Sequence, residues 1–166
     1  MRNWLKLCLL AASVFVVAAQ SARQHPPPPA QPIPYSHKIH AGDLELKCNT
    51  CHLNTGAGEK MGFPAVSVCM DCHSAIKTES PAIQKLASFE KENRKIPWVR
   101  VYQIPSYVKF SHGAHLAAGG TCVKCHGNVK ELDQLYREVE VNMASCVNCH
   151  RASKASIDCT YCHEQM

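Results

Sequence analysis

Ten of the eleven cysteines in this 166-residue chain fall into five C-x-x-C pairs, and each pair is followed at once by a histidine. The groups are Cys48, Cys51 and His52; Cys69, Cys72 and His73; Cys122, Cys125 and His126; Cys146, Cys149 and His150; and Cys159, Cys162 and His163. Residues three apart lie on one side of a helical turn, so each pair presents two thiols together with an imidazole beside them. Structural zinc sites use C-x-x-C pairs with histidine as a further ligand. An exported chain with an even cysteine count often carries disulfides, and a lone C-x-x-C can be a redox pair on a βαβ scaffold. None of these needs histidine at the same next position five times. With ten histidines in 166 residues, chance supplies that on the order of one time in a million. Haem c attachment needs all three groups: the thiols add to the two vinyl groups on one edge, and the histidine becomes an axial ligand. The motifs predict five covalently bound haem c groups, ten thioethers and no disulfide.

Two further segments, YSHKIH and FSHGAH, repeat the order aromatic, Ser, His, two residues, His. They place His37 and His40 ahead of the first two motifs, and His112 and His115 ahead of the third and fourth. Each attachment histidine fills one side of an iron, so the other side needs a ligand from elsewhere. Two imidazoles on one side of a turn can serve two haems and fix the distance between them. Four histidines do not satisfy five irons. His25 is the only histidine left, and Met61, Met70, Met143 and Met166 are the methionines outside the first residue. Met70 sits inside a C-x-x-C and Met166 is terminal. Met143, three residues before Cys146, has the best context, either as a ligand or as a soft residue packed on a haem face. The third option is an open iron.

The N-terminus carries Arg2 and Lys6, then an apolar run over 7–19 that ends in Val17-Ala18-Ala19. That is the pattern of a secretory signal peptide over 1–19. The run is short for a membrane span, which needs about 20 residues, although an uncleaved anchor stays open. Export predicts a periplasmic protein, free or held at the periplasmic face of the inner membrane. Cys8 lies within the apolar run and reads as inert. The chain has 18 basic and 13 acidic residues, a net charge of +5. Without Arg2 and Lys6 this becomes +3, and ten haem propionates would bring it to about −7. The basic balance is therefore no argument for nucleic acid, and no basic stripe with interleaved aromatics is present.

The elements that must position these groups are short. Residues 20–34 form a proline-rich leader, expected to be extended and mobile. A first haem repeat over 35–79 carries two motifs, a connector spans 80–109, and a second repeat over 110–166 carries three. Ser80-Pro81 is a helix start, and Ile83, Leu86, Ala87 and Glu90 share a face, which predicts a helix over 81–95 with Ser80 as its cap. A second helix is predicted over 130–139, with Leu132, Leu135, Tyr136 and Val139 as its buried stripe. About 29 residues per haem cannot enclose five separate pockets. The fold class is therefore a multihaem cytochrome c: mostly loops and a few short α-helices wrapped around stacked haems, with little or no β-sheet, and an apo-chain largely disordered.

The order S-H-x-x-H, C-x-x-C-H, C-x-x-C-H resembles class III-type multihaem cytochromes c of the cytochrome c3 and c7 kind. The fuller pattern, in IPYSHKIHAGD, FPAVSVCMDCH, IPWVRVYQIPSYVKFSHGAH, GGTCVKCHG and VNMASCVNCHR, is similar to the pentahaem subunit of alternative complex III and related periplasmic cytochromes. The resemblance implies electron transfer through mostly bis-histidine haems, with one haem ligated by histidine and methionine, where Met143 matches the family's methionine. It also implies redox partners: an iron–sulfur or quinol-oxidising membrane complex on one side, a monohaem cytochrome or terminal reductase on the other. The family subunit has a clear membrane anchor where this chain has a short apolar segment and the leader. Against electron transfer without substrate chemistry stand two alternatives. One is a multihaem reductase acting at one open haem, which rests on the unassigned fifth iron alone. The other is a subunit of an extracellular haem filament, for which no segment is specific.

Overall fold

The computed structural model describes residues 25–53 and 61–163. The signal-peptide reading, Cys8 and Met166 lie outside these residues. In chain order the described elements are a π-helical turn Lys38–Asp43, α1 Cys48–Cys51, α2 Val66–His73, α3 Pro81–Lys91, α4 His112–Ala117, α5 Cys122–His126, a 3-10 turn Val129–Glu131, α6 Met143–Ala152 and α7 Cys159–Cys162. Among the described residues the only β-type pairing is an isolated antiparallel bridge between Val108 and His163. Each C-x-x-C pair falls on one of five short helices, α1, α2, α5, α6 and α7. Among the described residues the architecture is the expected one of short helices and loops without a sheet.

The polypeptide supplies little core of its own. Among the described residues only Ile33, Leu86, Phe89 and Ile96 are buried hydrophobics. Val66, Cys69, Met70, Ala82, Ile83 and Trp98 pack against them, so α2 lays one face on α3. Elsewhere Leu44, Leu53, Phe63, Val123, Ile157 and Tyr161 stay exposed. Isolated exposed apolar residues are ordinary, but a four-residue core is too small to order a chain this long without additional apolar material. Flat apolar cofactors would supply it.

Both expected connector elements need correction. α3 ends at Lys91 rather than 95, because Asn93 takes a left-handed conformation, φ 50°. The Arg94 N–H then reaches the Phe89 carbonyl at 2.8 Å, the closing bond of a helix C-terminus in which asparagine stands in for glycine. Pro81 begins the helix as expected, but the Ser80 side chain makes no capping bond. The buried stripe includes Phe89 where Glu90 was expected; Glu90 is exposed.

The helix expected over 130–139 does not form. Only the single turn Val129–Glu131 is helical, and Leu132 is extended at φ −102°, ψ 120°. Its backbone groups have tertiary partners instead. The Leu132 carbonyl accepts from the Lys38 N–H at 3.0 Å, and the Asp133 carboxylate accepts from the Ser36 hydroxyl at 2.7 Å. The N–H groups of Glu138 and Val139 donate to the Tyr102 hydroxyl at 3.1 and 3.2 Å. A segment spending its backbone bonds this way cannot also close an i→i−4 ladder.

The leader also differs from a mobile spacer. The Gln31 amide pairs with Val99 in both directions, donating to its carbonyl at 2.9 Å and accepting from its N–H at 3.0 Å. Ile33 enters the small core. From Gln31 onward the leader is therefore tied to the connector.

Candidate haem-attachment sites

The two S-H-x-x-H segments are built alike, and their serines and aromatics explain how. Ser36 Oγ accepts the Ile39 N–H at 3.1 Å, and Ser111 Oγ accepts the Ala114 N–H at 3.2 Å. Each serine starts a turn by satisfying an otherwise orphaned donor. The same serine's carbonyl holds the second histidine: His40 Nδ1 lies 2.9 Å from the Ser36 carbonyl, and His115 Nδ1 lies 2.7 Å from that of Ser111. A carbonyl only accepts, so Nδ1 carries the proton and Nε2 keeps its lone pair. The preceding aromatic fixes the ring planes. Tyr35 stacks on His40 at 4.5 Å and meets His37 edge-on at 4.9 Å. Phe110 stacks on His115 at 4.6 Å and meets His112 edge-on at 4.7 Å.

Three of the five motif histidines are oriented in the same way. Nδ1 of His52 faces the Gly62 carbonyl at 3.3 Å, that of His73 the Ile76 carbonyl at 3.1 Å, and that of His150 the Ser156 carbonyl at 2.7 Å. Each bond leaves Nε2 as the available ligand atom, the usual outer-sphere arrangement around a metal-bound imidazole. His126 is braced by Tyr102, whose ring meets it edge-on at 4.6 Å and whose hydroxyl donates to the His126 carbonyl at 3.4 Å. Gly127 closes α5 at φ 73°, where a Cβ would also strike the Glu138 carboxylate. Neither the tautomer-setting carbonyls nor Tyr102 was read from the sequence. The repeated serine and the aromatic-proline stretch were the available signals.

Across these turns the imidazoles face one another in four pairs. His37 stands 6.4 Å from His52 and His112 stands 6.4 Å from His126, centroid to centroid, with interplanar angles of 4° and 8°. His40 stands 6.0 Å from His73 and His115 stands 6.0 Å from His150, at 61° and 38°. Two metal–nitrogen bonds of about 2 Å plus about 1.1 Å from each nitrogen to its ring centre span about 6.2 Å. The pairs therefore stand an iron's width apart. Among the described residues no three His, Cys, Asp or Glu side chains converge as a metal-ion site. The donors oppose one another two by two rather than four around a zinc.

The electrostatics suit neutral ligands. Burial, then the neighbouring His52 and His40, pulls the His37 pKa down to about 4. Burial, then His112 and His52, lowers that of His126. Burial, then the thiols of Cys51 and Cys69, pushes Tyr35 up to about 12. Burial raises the pKa of the thiols of Cys51, Cys69, Cys122 and Cys125. The buried donor Trp98 Nε1 has no hydrogen-bond partner, nor has the acceptor Glu138 Oε2, while Arg137 Nε is ion-paired with the Glu140 carboxylate at 3.5 Å. A propionate of a bound haem would suit the Trp98 donor.

The fifth motif is different. The Val108–His163 bridge and a 2.7 Å bond from the Lys109 N–H to the Cys162 carbonyl clamp α7 to the strand-like segment before α4. The ring beside His163 is Tyr107, 6.0 Å away at 25°. His25 packs on Tyr136 at 4.8 Å. Met143 opens α6 with 67% of its surface exposed, under a capping box in which Asn142 and Ser145 exchange bonds of 2.9 and 2.8 Å. Met70 is spent on the small core.

Residues 108–164 match the family model of cytochrome c7 and related cytochrome c. Over those residues the chain is similar to multihaem cytochromes c of the class III type, which carry covalently bound haem c. Over 162 residues it is 29% identical to the menaquinone reductase multiheme cytochrome c subunit of Nitratidesulfovibrio vulgaris, spanning 81% of this chain and 77% of that protein. Among the described residues no helix is long and apolar enough to cross a membrane.

Proposed function

We propose that this cytochrome holds five haems and passes electrons singly between redox partners at the periplasmic face of a membrane, as a subunit of a quinone-linked complex. The observation that carries the reading is the set of four opposed imidazole pairs at 6.0–6.4 Å, two in each half of the repeat. Bound haem would supply one-electron chemistry, with no bond made or broken. The chain's own residues do the rest. Ten thiols anchor: Cys48, Cys51, Cys69, Cys72, Cys122, Cys125, Cys146, Cys149, Cys159 and Cys162. His52, His73, His126, His150 and His163, with His37, His40, His112 and His115, would supply the ligating imidazoles. Met143, with its thioether outside the protein's own packing, is the proposed sixth ligand of the fifth iron. The relative's place as a menaquinone reductase subunit and the similarity to the alternative complex III subunit both favour membership of a membrane complex over a free carrier.

Residues 1–19 act as the export signal in this reading, and 35–79 and 110–166 are the two haem repeats joined by 80–109. Haem per chain, measured by mass and haemochrome absorbance on protein purified from its native membranes, tests the proposal. Five haems, with the band retained in the membrane fraction and the N-terminus beginning after residue 19, is the expected result. Fewer than five haems refutes the pentahaem reading. A band wholly in the soluble periplasmic fraction refutes membership of the complex.

A further inference from the structure

We infer that each S-H-x-x-H turn builds ligand pairs of two electronic kinds, parallel at its first histidine and crossed at its second, with Tyr35 and Phe110 as the positioning residues. The pairs made by the first histidines are nearly parallel: His37 lies 4° from the plane of His52, and His112 lies 8° from that of His126. Those made by the second histidines are turned, His40 by 61° against His73 and His115 by 38° against His150. The division recurs in both halves of the repeat, so it follows position in the turn.

The aromatic ahead of the serine sets one ring of each pair. Tyr35 meets His37 edge-on at 87° and lies along His40 at 23°. Phe110 meets His112 at 89° and lies along His115 at 28°. One flat side chain therefore holds the two imidazoles of a turn at a large angle to each other. The facing rings are held from elsewhere. Carbonyls pin both rings of each crossed pair: those of Ser36 and Ile76 hold His40 and His73 at 2.9 and 3.1 Å, and those of Ser111 and Ser156 hold His115 and His150 at 2.7 Å. Turning a crossed pair parallel would break at least one of these bonds. In the parallel pair of the second half, His126 is instead met edge-on by Tyr102, at 78°.

The angle matters because the nitrogen p orbital that overlaps an iron d orbital stands perpendicular to the imidazole ring. Two parallel rings overlap the same d orbital and lift it clear of its partner. Two crossed rings overlap one each and leave them nearly level. A ferric iron between His37 and His52, or between His112 and His126, would hold its unpaired electron in one orbital of fixed direction; between crossed rings two directions would share it. Axial ligation is one of the levers by which a chain tunes bound haem. Potential alone would not read this lever here. Crossing raises it, whereas the Nδ1–carbonyl bonds at the crossed pairs strengthen donation and lower it. Magnetic anisotropy separates the two kinds.

The inference rests on the proposed haem occupancy, and electron paramagnetic resonance of the fully oxidised, haem-loaded protein tests it. The His52 and His126 irons should give rhombic low-spin signals. The lowest-field feature should move to lower field for the His150 iron and furthest for the His73 iron. Difference spectra against His37→Ala, His40→Ala, His112→Ala and His115→Ala assign each signal by its loss, and the parent spectrum alone shows whether both kinds exist. Phe110→Leu should shift the two signals of the second half and leave those of the first, whereas Phe110→Tyr, which copies Tyr35, should keep all four. A single kind of signal, the reverse assignment, or Phe110→Leu without a shift would overturn the inference. Haem count and the low-spin absorbance band, measured first on the same sample, separate it from the parent reading. A chain without low-spin haem sinks both, whereas low-spin haems with one common set of g values sink only this inference.

Discussion

Replacing His115 by glycine removes one imidazole from the pair it forms with His150, and the structure sets what that costs. The ring gives up its stack on Phe110 at 4.6 Å, worth about 0.5–1.5 kcal/mol. It also gives up the bond from Nδ1 to the Ser111 carbonyl, worth about 1 kcal/mol. That carbonyl still accepts the backbone N–H of residue 115 at 3.3 Å, so no buried acceptor is orphaned. Glycine within α4 adds about 1 kcal/mol. The total, about 3 kcal/mol, is less than the 5–15 kcal/mol typical of a domain. The variant should stay folded and lose a ligand rather than its structure. With five C-x-x-C-H motifs, one-fifth of the haem absorbance should move from low-spin to high-spin. Reduced protein should bind one more equivalent of carbon monoxide than the parent. Added imidazole, entering the gap left beside His150, should reverse both changes. An unchanged spin state would refute the ligand assignment. A high-spin signal that imidazole does not reverse would show that the damage is structural.

Three further outcomes are expected. Met143→Leu should give one-fifth of the haem the capacity to bind carbon monoxide after reduction; if the parent already binds one equivalent and the variant no more, Met143 is not a ligand. In an acid titration of the oxidised protein, the His37 side of the His52 iron should hold its ligand until pH falls to about 4 or below. Burial and the charges of His52 and His40 already lower that pKa to about 4, and a metal bond can only lower it further. Because the folded pKa lies below the unfolded one, the protein binds fewer protons when folded, so stability should fall as pH drops from about 6.5 towards 4. Half-release at pH 6.5, read from the high-spin band, would contradict this. Gly42→Ala should lower thermal stability by about 1–3 kcal/mol while the haem spectrum is kept, since the added Cβ meets the rigid Lys130 carbonyl at 2.5 Å; an unchanged melting temperature would mean that the docked turn yields freely.

Much of the site was legible because its chemistry is local. A thioether anchor needs two thiols and an imidazole within five residues, so the five attachment groups and the serine-histidine turns stand out whatever the fold. The same locality explains the short helices that carry them, since a single turn is enough to present residues three apart. Pro81 and Asn93 mark the limits of α3 for equally local reasons.

What only the tertiary structure decided is which imidazole faces which. His37 is 15 residues from His52 and His40 is 33 from His73; nothing in spacing favours those partners over the exchanged pair. The choice is made by the Ser36 and Ser111 carbonyls and the Tyr35 and Phe110 rings, which aim each histidine in one direction. The helix expected over 130–139 failed for the same kind of reason. Its apolar stripe is real, with Leu132, Leu135, Tyr136 and Val139 all half-buried. But Lys38 and Tyr102 claim backbone groups that a helix would have used internally. Sequence pattern reports which surfaces want burial; where long-range partners bid for the same backbone, the fold alone settles which bonds are made.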